Sequence, residues 1–170
     1  MVNVNKINDI LTFFADNVPD LTVTKVMKLF YYVDFVSYAE KDTPVTNDVY
    51  YKLPYGPIPS FIKNEINTLT FNKMLGSEIG DLQLSKNFSV EQKKMGRYNG
   101  YIIKNTGKKG SLDNLSSYEV GLVKRILKKF GKSTARELVN STHKEKPYLL
   151  TNENSIIDYK LAKLLDLSAI

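Results

Sequence analysis

The segment TVTKVMKLFYYVDFVSYAEKD, residues 22 to 42, constrains the fold more than any other part of the chain. Taken as a helix, it places Val26, Leu29, Phe30, Val33 and Val36 on one apolar stripe and Met27, Tyr31, Phe35 and Tyr38 on a second. A helix that is apolar on two faces has to be buried on two sides or shared with a partner. This segment is therefore predicted to be the central helix, with the rest of the chain wrapped around it.

The flanking sequence supplies the wrapping. Ile7, Ile10, Leu11 and Phe14 fall at i, i+3, i+4 and i+7, which predicts an amphipathic helix closed by Asn17 and Pro19. Beyond a turn at Thr43-Pro44, the run NDVYYKL (47 to 53) is rich in β-formers and is predicted to be a short strand. Pro54, Pro57 and Pro59 are expected to forbid regular structure as far as Ser60, which is placed to cap a helix burying Ile62, Ile66 and Leu69. From 72 to 115, glycines at 76, 80, 96, 100, 107 and 110 punctuate the pieces DLQLS, NFSVE and NGYIIKN. These predict a small antiparallel sheet or hairpins.

Helical signals return at Ser116, which forms a capping-box pair with Glu119 ahead of a stripe of Val120, Val123, Leu127 and Phe130 and a stop at Gly131. Thr134 and Glu137 form a second such pair, opening a helix that buries Leu138 and Val139 and cannot extend through Pro147. A last amphipathic segment carries Ile157, Leu161 and Leu164. No repeat, low-complexity tract or linker divides the chain. The expected fold is α+β, a mostly helical single domain over residues 1–170 with a small antiparallel sheet.

Composition narrows the chemistry. With 42% hydrophobic residues in 170, the chain can fill a core. The absence of cysteine excludes disulfides, thiolate catalysis and cysteine-ligated metals and suits a reducing cytoplasm, the expected location. The opening MVNVNKINDILTFFADNVPD breaks every apolar run with polar residues, so neither a signal peptide nor a membrane span is expected. His143 is the single histidine, no nucleophile elbow accompanies it, and its plainer role is a structural one near a helix end. Acidic residues are scattered singly, and GKKGS (107 to 111) lacks the spacing of a phosphate-binding loop. No metal, no cofactor and no enzymatic activity are expected.

Two kinds of partner remain. The net charge of +6 attracts polyanions weakly, and Lys124, Arg125, Lys128, Lys129 and Lys132 gather at the end of one helix with Arg136 and Asn140 on the next. That arrangement could meet nucleic acid, although lysines opposite an apolar stripe are also what any solvated helix face carries. The tyrosines point toward protein. Tyr31, Tyr32 and Tyr38 on the central helix, Tyr50 and Tyr51 on the strand and Tyr55 in the Pro-Gly turn are core-filling or interface-anchoring residues.

Three stretches taken in order, TKVMKLFYYVDF (24 to 35), DVYYKLPYGPIP (48 to 59) and SSYEVGLVKRILKKFGKSTARELVNSTHKEKPY (116 to 148), resemble the Panacea domain of SocA-like and GepA-like proteins of phages and bacteria. The matching elements are Lys28-Leu29-Phe30-Tyr31-Tyr32, Tyr55-Gly56-Pro57, Glu119, Thr142-His143 and Pro147-Tyr148; Tyr148 stands where the family often has tryptophan, and residues 72 to 112 match little. The resemblance implies an antitoxin that neutralises a cognate toxin by direct contact, carried by a phage or mobile element. The contact surface expected on that basis comprises the central helix and the Pro-Gly loop, with Tyr31, Tyr32, Tyr51, Tyr55, Gly56 and Pro57 as partner-binding residues. The alternative is a DNA-binding regulator or anti-defence protein using Lys124, Arg125, Lys128, Lys129, Lys132 and Arg136. The oligomeric state stays open.

Overall fold

Every residue from Lys25 to Ser37 is buried, so the predicted central helix is central in fact. The computed structural model describes residues 1–76 and 82–170. In it, α1 (Val4–Asn17), α2 (Val23–Lys41), β1 (Tyr50–Leu53), β2 (Gly56–Pro59) and α3 (Ser60–Leu75) precede β3 (Phe88–Met95) and β4 (Tyr98–Asn105). Then come α4 (Ser117–Phe130), α5 (Ala135–Thr142), the single turn α6 (Lys146–Leu149) and 3-10 helices at Tyr159–Leu164 and Leu167–Ala169. The architecture is α+β and mostly helical, with two two-stranded antiparallel hairpins. α2 touches α4, α5, both hairpins and the 3-10 helix, and one apolar core runs from Ile7 to Leu165.

The prolines do not forbid regular structure at 56 to 59. β2 pairs with β1, with Tyr51 opposite Ile58 and Leu53 opposite Gly56 around the turn Pro54-Tyr55. The alternate residues of β1 turn their backbone groups to the outer edge. There the Lys52 amide donates to the Ser155 carbonyl at 2.9 Å, and the Lys52 and Tyr50 carbonyls accept from Asn154 and Ile157 at 3.0 and 2.8 Å. Pro57 and Pro59 are the partners of Lys52 and Tyr50, so they fill the two β2 positions that face away from the ladder. A proline there costs no ladder bond, and it leaves the free edge of β2 without a donor for another strand.

The start of α3 also departs from expectation. Ser60 is the first helical residue, and the side chain that caps the helix comes from Asp48, twelve residues earlier. Asp48 Oδ1 accepts from the Phe61 amide at 2.9 Å and Oδ2 from the Ile62 amide at 3.0 Å. Ile62 and Ile66 are buried as predicted, while Leu69 is only half-buried. The DLQLS piece forms no strand in residues 82–85, and Gly80 and Asp81 lie outside the described residues.

Both capping boxes are present. The α4 stripe is Leu122, Val123, Ile126 and Phe130, so the predicted Val120 and Leu127 lie at its margins, half-buried. In the last segment, three residues per turn bring Ala162 and Leu165 inward beside Tyr159 and leave Leu164 exposed, against the expected stripe. No helix is long and apolar enough to cross a membrane among the described residues.

Candidate functional site

The scattered motifs of the sequence meet at the β1–β2 hairpin. Lys28 projects from α2 under the hairpin, is fully buried, and donates from Nζ to the Pro57 carbonyl at 2.9 Å. Gly56 has φ of +97°, and a Cβ there would lie 2.9 Å from both Lys28 Nζ and Thr142 Oγ1. Only glycine satisfies that backbone and that closeness together. On the other flank, the Tyr148 hydroxyl donates to the Leu53 carbonyl at 3.0 Å and its ring stacks on His143 with centroids 4.5 Å apart. Lys52 Nζ lies 4.7 Å from the centre of the Tyr148 ring, donates to the Thr151 carbonyl at 2.9 Å, and pairs with Glu153 at 3.1 Å.

The hairpin is therefore clamped from below by α2 and from the side by α5 and α6. Its turn is left in solvent, with Tyr55 76% exposed.

Burial sets the electrostatics of the clamp. Removal from water pushes the Lys28 ammonium down to about 7, close to the point at which it loses its proton in the cell. His143 is also lowered, first by burial and then by the positive Lys28 and Lys52. Its Nε2 is buried without a hydrogen-bond partner among the described residues, and its ring serves as a flat packing surface for Tyr148.

These placements correct part of the expected contact surface. Tyr31 and Tyr32 have no exposed surface to offer a partner. Tyr31 packs on Phe35 and Tyr50, and Tyr32 stacks on Phe130 at 4.1 Å with its hydroxyl 3.4 Å from Glu145 Oε1. A helix apolar on two faces has no outward side on which to present them. Gly56 and Pro57 are buried as well, and Tyr51 is half-buried. Gly56 and Pro57 hold the turn, and Tyr55 is the exposed member of the set.

Lys124, Lys128, Lys129, Lys132 and Arg136 are exposed, and they make no ion pair among the described residues. Arg125 is held by Glu40 at 2.6 Å. Among the described residues, no group of three or more acidic or histidine side chains is placed to hold a metal ion.

A family model described as the antitoxin SocA-like, Panacea domain matches residues 26–148. The chain belongs to this family. Neither a curated protein nor a solved structure matches it. The matched span of the Panacea domain begins inside α2 and ends at Tyr148, so it contains every residue of the clamp except Thr151 and Glu153.

Two residues that hold the frame of the hairpin and α3 carried no recognised signal in the sequence, Asp48 and the fully buried Asp34. Asp34 accepts from the Thr46 amide and the Tyr50 hydroxyl, both at 2.7 Å. Burial raises it to about 6 against the pull of these donors. A signal for Lys28 and Asp34 existed, because polar residues on a helix with no exposed face must be buried and bonded.

Proposed function

We propose that this protein is an antitoxin that acts by holding a cognate toxin through the tip of the β1–β2 hairpin and the surface beside it. Membership in a family described as antitoxin SocA-like supports the antitoxin role, and the observation that carries the location is the clamped hairpin with Tyr55 at its tip. A turn whose backbone is already fixed by Lys28, Thr142 and Tyr148 loses little conformational entropy when a partner binds. Tyrosine at such a tip offers a large area and a hydroxyl at low rotamer cost. The action is stoichiometric binding in the cytoplasm without turnover, and the toxin is the product of a neighbouring gene on a phage or mobile element.

The test is growth on co-expression with the adjacent open reading frame. Tyr55→Ala is expected to abolish protection while its free energy of unfolding stays within about 0.5 kcal/mol of wild type, as for other exposed substitutions. Protection retained by Tyr55→Ala would move the interface elsewhere.

A second reading rests on Lys124, Lys128, Lys129, Lys132 and Arg136, which are exposed, make no ion pair among the described residues and could contact duplex DNA. Such binding would weaken steeply with salt, since each neutralised phosphate steepens the slope. An electrophoretic shift at low salt that is lost in Lys128→Glu/Lys132→Glu supports it, and no shift at low salt removes it.

A further inference from the structure

The surface beside Tyr55 is a cleft with a definite chemistry. It opens between the first turns of α2, the β1–β2 hairpin and α3, and has a volume of about 140 Å³. Val23, Met27 and Ile58 contribute apolar lining, together with the buried Lys28. The remaining lining residues include Tyr55, Lys63 and Asn67. An apolar cavity of about 150 Å³ accommodates a benzene ring, so this cleft has room for one leucine-sized or aromatic side chain.

Lys63 supplies the positive charge of the cleft beside the buried Lys28 amine, and no carboxylate lines it among the described residues. Lys63 is half-exposed and has neither a hydrogen bond nor an ion pair among the described residues. A second cleft, of about 280 Å³, adjoins the first through Val23 and Thr24, which line both. It runs to Met95, Asn99 and Tyr101 at the end of the β3–β4 hairpin and also has no acidic lining residue among the described residues. Together they make an elongated groove over the start of α2, bounded by the ends of both hairpins.

We infer that this groove receives an extended segment of the toxin, one that places an apolar side chain in the cleft beside Tyr55 and an acidic residue against Lys63. The inference rests on the proposed antitoxin role and specifies what the surface at Tyr55 recognises. An elongated shape suits a peptide better than a compact metabolite. The positive charge of Lys63, with no carboxylate in the lining among the described residues, selects an acidic segment over a basic one, in a protein whose net charge is +6. The Lys28 ammonium contributes by position: its bond to Pro57 holds the hairpin wall of the cleft at a fixed distance from α2.

The full chain can be panned against a random octapeptide library displayed on phage, and the selected peptides measured by fluorescence anisotropy. The expected consensus is an apolar or aromatic residue next to Asp or Glu, with affinity falling about tenfold or more in both Lys63→Glu, which reverses the rim charge, and Val23→Trp, which fills the cleft. Lys63→Glu changes a side chain that has no partner among the described residues, so it keeps the test meaningful if Val23→Trp disturbs packing. A basic or wholly polar consensus, no selected peptide, or equal affinity in Lys63→Glu overturns the inference. The growth assay separates the two claims. If wild type protects and Lys63→Glu protects equally, the groove assignment fails and the antitoxin reading stands. If wild type does not protect against the adjacent gene product, the antitoxin reading fails.

Discussion

Lys28 shows how much one buried amine can impose. The ordinary lysine value is 10.5 and burial brings it to about 7, so between these values the unfolded chain holds a proton that the folded chain has released. Stability from this group therefore rises with pH across that window, by about 1.4 kcal/mol per unit, and its cost is present in full below pH 7. Chemical denaturation of wild type between pH 6.5 and 9, where about neutral to mildly basic conditions spare the tyrosines, should show this rise. Lys28→Met should flatten it. Parallel stability curves for the two proteins would show that the amine keeps its proton in the fold. The cost of that burial is set against a positional gain, because the same amine ties α2 to Pro57 and sits where a side chain on Gly56 would collide with it.

At the scale of elements, α3 distinguishes what a local rule sees from what the fold does. Ser60 before an apolar run satisfies the rule for a cap. The acceptor is nevertheless Asp48, whose two carboxylate oxygens take the Phe61 and Ile62 amides and whose Oδ1 also accepts from the Val49 amide at 2.7 Å. Asp48→Ala should cost about 1–2 kcal/mol and speed hydrogen exchange at Phe61 and Ile62, whereas Ser60→Ala should cost little. The reverse order would restore the local cap. The β1–β2 hairpin teaches the same lesson, since prolines that argue against a strand are accommodated when alternate positions face away from the ladder. Strand pairing is invisible until the partner strand is known.

For the whole molecule, the family match is shorter than the packed core. It ends at Tyr148, yet Ser155 and Ile157 bond the outer edge of β1 and Tyr159 packs on Phe35 and Tyr50 in the core. The Tyr159 hydroxyl also donates to the Asp48 carbonyl at 2.7 Å. A chain cut after Leu150 should lose cooperative thermal unfolding and bind a hydrophobic dye, because Phe35 and Tyr50 lose their cover. A sharp melt for the truncated chain would place residues 151–170 outside the cooperative unit. At the opposite end, α1 lies outside the match and still contributes Ile7, Ile10, Leu11 and Phe14 to the same core.

The sequence alone determined the helices whose signals are local. The two stripes of α2, the stripe of α1 and both capping boxes depend on residues within a few positions of one another, and each is present where periodicity and spacing put it. The ordered motifs also identified the family before any geometry was known. Tertiary structure decided which tyrosines are available: Tyr31 and Tyr55 are the same residue type, and only the packing of α4, α5 and the hairpin around α2 buries one and exposes the other. It also decided that Lys28, Gly56, Thr142 and Tyr148, separated by up to 120 positions, form one clamp. Contacts between residues so far apart leave no periodicity behind, because they are selected by the closure of the whole chain and not by the local backbone.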